Sequence, residues 1–125
     1  MLQFLLDEHI SPAVAREAAA KCRGMKILAF KHWRFGCLMG TADRLFLPEA
    51  KLDGLTLVTY DQKTIPPLLK EWAEQGIDHG GVIFVDTKTI APNDFGALVA
   101  ALREVWTSER RADWTNRVVF LRKSN

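Results

Sequence analysis

The first apolar run of the chain, Phe4-Leu5-Leu6, ends abruptly in Asp7, Glu8 and His9, and a second run, Leu55-Thr56-Leu57-Val58-Thr59, is followed in the same way by Asp61. Continuous apolar runs of this kind read as strands buried on both faces. In an open α/β sheet, groups just beyond the carboxyl ends of strands line the crevice where ligands bind. Asp43, in the first turn of the helix expected before the second run, can reach the same end of the sheet. Carboxylates held together repel one another, and unless a cation binds, some must take up protons. Magnesium or manganese suits an all-oxygen set, keeps several waters and bridges to phosphates. Metal-assisted phosphoryl transfer or hydrolysis is the chemistry this pattern points to.

The elements that would position these acids alternate along the chain. After the first strand, Ser11 and Pro12 open a helix running to Lys21 or Cys22, closed by Gly24. Met25 to Phe30 reads as a strand, Lys31 to Gly40 as an irregular connection, and Thr41 as the cap of a helix reaching about Leu52. Leu55 to Thr59 is followed by a helix from Ile65 to Gln75, with Pro66 and Pro67 in its opening turn. Gly81 to Val85 forms a fourth strand ending at Asp86. Pro92 and Asn93 introduce a long helix reaching Trp106 or Thr107, Arg110, Arg111 and Asp113 fall on an exposed loop, and Arg117 to Leu121 is the last strand. Strands alternating with crossover helices predict a three-layer α/β/α fold, mostly parallel, with about five strands. Right-handed crossovers let the first strand lie between the second and third, which opens the crevice at Asp7 and Asp61.

At 125 residues, 48% hydrophobic and 26% charged, the chain suits one domain over 1–125 with a proper core. A formal charge of +2 announces neither a nucleic-acid nor a membrane partner, so any such surface must come from local clustering. Cys22 and Cys37 lack the spacing of a zinc site or disulfide framework, and are expected as free buried thiols. No apolar run approaches the ~20 residues of a membrane span and no secretory signal is evident, so a cytoplasmic protein without a membrane partner is expected.

With these elements in place, the chain resembles a known family. Leu5-Leu6-Asp7-Glu8-His9-Ile10-Ser11-Pro12 resembles the opening LLDEN-x-SP of small stand-alone PIN-like proteins, and Val58-Thr59-Tyr60-Asp61 is similar to their VTxDxDF element. Gly40-Thr41-Ala42-Asp43 matches a G-x-x-D that starts a helix, and Gly80-Gly81-Val82-Ile83-Phe84-Val85 matches their fourth strand. The resemblance implies a PIN-like fold and magnesium- or manganese-dependent ribonuclease activity, as in the toxins of bacterial toxin–antitoxin pairs, with an antitoxin-like protein as partner. Asp7, Asp43 and Asp61 are then the catalytic, metal-binding acids, with Glu8 adjacent. The chain departs from the pattern at Lys63, which replaces the second acid of TxDxDF, at Thr64, which replaces its aromatic, and at Arg44, where an acid is usual. Nearby cations compete with a divalent metal. A relative that binds RNA or a protein partner without cutting is therefore a second expectation.

Plainer roles compete with these. Asp43 also stabilises a helix start by charge alone, Asp86 fits a turn, and His9 fits a cap or a hydrogen bond in the turn. Lys31, His32, Trp33, Arg34 and Phe35 interleave cations with aromatics, which suits single-stranded RNA or, equally, a loop covering the core edge. Lys63 and Arg44 can contact a phosphate or neutralise the acids; with Arg34 and Lys31 they are the candidate RNA contacts. Trp72, Trp106 and Trp114 suit core or interface positions, and a homodimer is expected. A phosphoacceptor signalling domain shares the layout of acids, Thr87 and Lys123 after successive strands, and is the third reading.

Overall fold

A computed structural model describes residues 1–124 and orders them as β1 (Phe4–Leu6), α1 (Pro12–Lys21), β2 (Ile27–Ala29), a 3-10 segment (Phe30–Gly36), α2 (Asp43–Leu52), β3 (Thr56–Thr59), α3 (Ile65–Gln75), β4 (Val82–Val85), α4 (Phe95–Glu109) and β5 (Val118–Leu121). The strands form one parallel sheet in the order β2-β1-β3-β4-β5, so the expected three-layer α/β/α architecture is the one observed. Successive side chains of a strand point to opposite faces, and here both faces are covered. Phe4, Leu6, Val58, Ile83 and Val85 pack with Val14 and Ala18 of α1 and Leu98 and Leu102 of α4. Leu5, Leu57, Val82 and Phe84 pack on the other side with Phe46, Leu47 and Ala50 of α2 and Ile65, Leu68 and Trp72 of α3. Buried Trp72 and Trp114 thus serve the core, as one of the two expected roles had it.

β1 lies between β2 and β3, pairing Leu6 with Ala29 on one side and with Val58 on the other. Winding proceeds in one direction through β2 and in the other through β3, β4 and β5. The reversal opens a crevice at the carboxyl ends of β1 and β3, immediately beyond which Asp7 and Asp61 follow.

Three local expectations are corrected. Thr41 does not cap α2: its hydroxyl donates to the Leu38 carbonyl at 2.7 Å, and the helix starts one residue later, after Ala42, without a side-chain cap. The last helix begins at Phe95, where Asp94 rather than Pro92 or Asn93 sets the start by accepting from Ala97 N at 3.1 Å. Cys22 is buried as expected, whereas Cys37 is exposed because the connection after β2 leaves the core at Arg34 and Phe35.

That connection is pinned from below. Trp33 is 2% exposed and packs edge-on against Phe30 and Phe46. Its indole N–H donates to Asp53 Oδ2 at 2.8 Å, and Arg34 forks onto both Asp53 oxygens at 2.9 and 3.0 Å while reaching Glu49 at 3.0 Å. These contacts hold Arg34 and Phe35 in the left-handed region, at φ 50° and 58°. α2 runs back from the crevice, so Asp53 lies a helix length of about 15 Å from Asp43. Arg34 is therefore held at the far end of the helix, away from the acids, while Lys31 stays exposed.

Asp53 carries three of these bonds, and Arg34, then Trp33, hold its carboxyl below its ordinary value of 3.8. A depressed acid contributes stability that is present above that ordinary value and lost as pH falls through the lower one. Asp53→Ala is expected to cost about 1–2 kcal/mol at pH 7 by denaturant titration. The gap between variant and parent should narrow as the pH is taken down towards 3; an unchanged gap would remove the proposed clamp.

Candidate functional site

Parity along the strands decides which side chains meet. Leu5 and Leu57 both face α2 and α3, so Asp7 and Thr59, two residues further on, project to that same side. The ladder continues past β1, with Asp7 N donating to the Val58 carbonyl at 2.9 Å, and this places the two side chains next to one another. Thr59, fully buried, donates its hydroxyl to Asp7 Oδ2 at 2.6 Å and accepts from Asp61 N at 3.0 Å.

Asp61 then turns the chain into α3. Its Oδ1 accepts from Lys63 N at 2.8 Å and from Thr64 N at 2.9 Å, a turn built by the carboxylate itself. The Thr64 hydroxyl contacts Asp61 Oδ2 and, at 3.2 Å, Asp43 Oδ2 from the first turn of α2. A single line of hydrogen-bonded groups thus runs Asp7, Thr59, Asp61, Thr64, Asp43. Glu8, next to Asp7 in the chain, accepts from Gly40 N at 3.2 Å and so ties the end of β1 to the loop before α2.

A hydroxyl carries one proton, so Thr64 can donate to only one of its two carboxylates at a time. The other contact becomes a hydrogen bond when that carboxyl is itself protonated. The two acids differ in the required sense. Burial, joined by the negative charges of Asp61, Asp7 and Glu8, raises Asp43 above its ordinary value despite the Thr64 hydrogen bond. Burial also opposes ionisation of Asp61, but the Thr64 hydroxyl, the amides of Thr64 and Lys63, and nearby His9 outweigh it and hold Asp61 low. Neighbouring carboxyls shifted in opposite senses in this way are unequal members of one site.

Of the residues singled out in the sequence, Asp7, Asp43 and Asp61 come together, and Glu8 stands at their edge. Arg44 turns away, with Nη2 at 2.7 Å from Glu71 Oε2 on α3. Lys63 gives its amide to Asp61 and keeps an exposed side chain beside it. Asp86 is a turn residue, accepting from Lys88 N at 3.1 Å. Thr59 and Thr64, the two joints of the network, are missing from the residue-type reading of the site. The available signal was a hydroxyl ending an otherwise apolar strand, and a threonine where the resembling family has an aromatic.

The donor chemistry suits a hard divalent ion, being all oxygen. Among the described residues no group of three or more His, Cys, Asp or Glu side chains is placed to hold a metal ion. Threonine hydroxyls stand between the carboxylates instead. Magnesium commonly binds through one or two carboxylates plus substrate phosphates rather than in an all-protein cage. Asp43 and Asp61, sharing Thr64, fit that lesser requirement, with Asp7 one hydroxyl further on.

An acid whose folded value is raised contributes stability that is present below its unfolded value and lost as pH rises through the folded one. Asp43→Asn is therefore expected to raise the thermal midpoint by roughly 2–5 °C at pH 8 and by little at pH 3, without added metal. Thr59→Val leaves Asp7 Oδ2 and Asp61 N without their buried partner and should cost about 1–3 kcal/mol. Melting curves of both variants across pH check this; a destabilised Asp43→Asn at pH 8 would contradict the burial and repulsion described. The chain matches no family model, no curated protein and no solved structure.

Proposed function

We propose that the protein is a PIN-like, magnesium- or manganese-dependent ribonuclease, with Asp7, Asp43 and Asp61 as its working acids. The observation that carries this is the continuous line of Asp7, Thr59, Asp61, Thr64 and Asp43 at the switch point of the sheet. Burial, with the negative charges of Asp61, Asp7 and Glu8 added to it, raises Asp43, and a divalent cation offsets such charge directly. When bound, the ion supplies a nucleophile from water and stabilises charge on the phosphodiester. The protein's own share is positional: Thr59 aims Asp7, the amides of Lys63 and Thr64 favour the ionised form of Asp61, and Thr64 holds Asp43 next to Asp61.

A role as the toxin of a toxin–antitoxin pair, with an antitoxin-like partner, belongs to the same reading through the resemblance in the acid motifs. No helix among the described residues is long and apolar enough to cross a membrane. The phosphoacceptor reading is weaker, since both Asp61 oxygens already hold hydrogen bonds. A catalytically inert RNA- or protein-binding relative is favoured by one observation, the lack of three acids placed around one ion among the described residues.

Incubation of the protein with single-stranded RNA and manganese is expected to yield cleavage that chelation stops. Asp7→Asn and Asp61→Asn should each lower the rate at least about a hundred-fold, the scale of several kcal/mol of metal-supplied stabilisation. Cutting that survives both substitutions would displace the site. RNA binding with neither cutting nor heat on titration with manganese would decide for the inert relative.

A further inference from the structure

Next to the acid network, the carboxyl ends of β3, β4 and β5 enclose an open groove of about 590 Å³. Three successive loops each give it one cation: Lys63 after β3, Lys88 after β4 and Arg122 after β5. All three are exposed, and none forms an ion pair among the described residues, whereas Arg34, Arg44 and Arg117 are each committed to acids. Asp61 and Asp86 also line the groove, but each is occupied with its own turn amides. Phe120 completes the wall. It is 61% exposed, and its inner side is stacked on buried Phe84 at 5.5 Å, so it is backed by the core and offers its other side to the groove.

Strands lie about 4.8 Å apart, so loops after β3, β4 and β5 string their cations over roughly 10 Å. In a duplex each strand carries one phosphate per about 3.4 Å of axis, and an extended single strand spaces them more widely, so three cations on long exposed side chains, splayed from a row of this length, reach about three of them. A mononucleotide reaches only part of it. Cations in a row beside an aromatic face are the elements with which proteins hold single strands irrespective of sequence. The groove opens beside Asp61, so a strand lying in it brings its next phosphodiester to the acids.

We infer that this groove binds a single-stranded polynucleotide flanking the acid site, with Lys63, Lys88 and Arg122 on successive phosphates and Phe120 stacked on a base. The inference rests on the nuclease reading for the choice of ligand, and its test reads binding apart from cutting. Fluorescence anisotropy with labelled oligouridine and oligodeoxythymidine, in chelator, is expected to show binding with a logarithmic salt slope of roughly −2, from about 0.7 per phosphate. Affinity should then fall about twenty-fold between 50 and 200 mM salt. The Lys88→Ala/Arg122→Ala double variant, its fold checked by its melting curve, should retain a slope of about −0.7. Phe120→Ala should weaken binding about ten-fold with the slope unchanged. Binding of RNA alone, or of both strands equally, meets the expectation. Failure to bind either strand, a preference for duplex, or a double variant with parental affinity and slope would overturn it. Groove-dependent binding without manganese-dependent cutting leaves this inference standing and removes the nuclease. Cutting by the double variant at unchanged KM does the reverse.

Discussion

Because β1 pairs directly with β3, in parallel and with Leu6 opposite Val58, residues 52 positions apart come to share one partly buried hydrogen bond. Every other feature of the crevice follows from that register. A slip of one residue would turn Asp7 and Thr59 to opposite faces of the sheet, since side chains alternate along a strand. The register is in turn held by apolar burial on both faces: Leu5 and Leu57 are needed under α2 and α3, while Leu6 and Val58 are needed under α1 and α4. The polar site is thus positioned by the apolar cores, and its acids occupy the first places along the strands where the cores no longer claim the side chain.

The hydroxyls of Thr59 and Thr64 set how closely like charges are held. Each stands between two groups on different elements, Thr59 between Asp7 and the Asp61 amide, Thr64 between Asp61 and Asp43. A small donor of this kind separates carboxylates while giving one of them a proton to accept. Thr64 favours ionisation of both acids, and their inequality comes from burial and neighbouring negative charge at Asp43 against the two turn amides and His9 at Asp61. The Thr64 hydroxyl also bridges the loop before α3 to α2, a link that a side chain without a hydrogen-bonding group could not make.

Cations are sorted by the helices rather than by their distance in sequence from the acids. Arg44 follows Asp43 directly, yet it points along the outside of α2 to Glu71 on α3. Arg34 precedes the same helix by a short loop, yet it is carried to the other end of α2 by Asp53 and Glu49. Lys63, by contrast, stands beside an acid of the network, and it does so on the groove side. The apparent neutralisation of the acids by neighbouring positive charge is therefore smaller than the sequence suggests.

The amino-acid sequence by itself determined the alternation of strands and helices, the parallel sheet and the places where apolar runs give way to Asp7 and Asp61, because these depend on local patterning: doubly buried strands must be apolar throughout, and a helix must start where its amides find partners. Its errors were local as well. Thr41 has the chemistry of a cap, but a carbonyl three residues back took its hydroxyl, and Cys37 has the habit of a buried thiol, but the left-handed turn at Arg34 and Phe35 carried it outward. Only the tertiary structure decided that Thr59 and Thr64 join the acids, that Arg44 and Arg34 leave them, and that Lys88, Phe120 and Arg122 share a groove with Asp61. Those are relations between elements distant in the chain, and side-chain type carries no information about them until strand order and register bring the elements together.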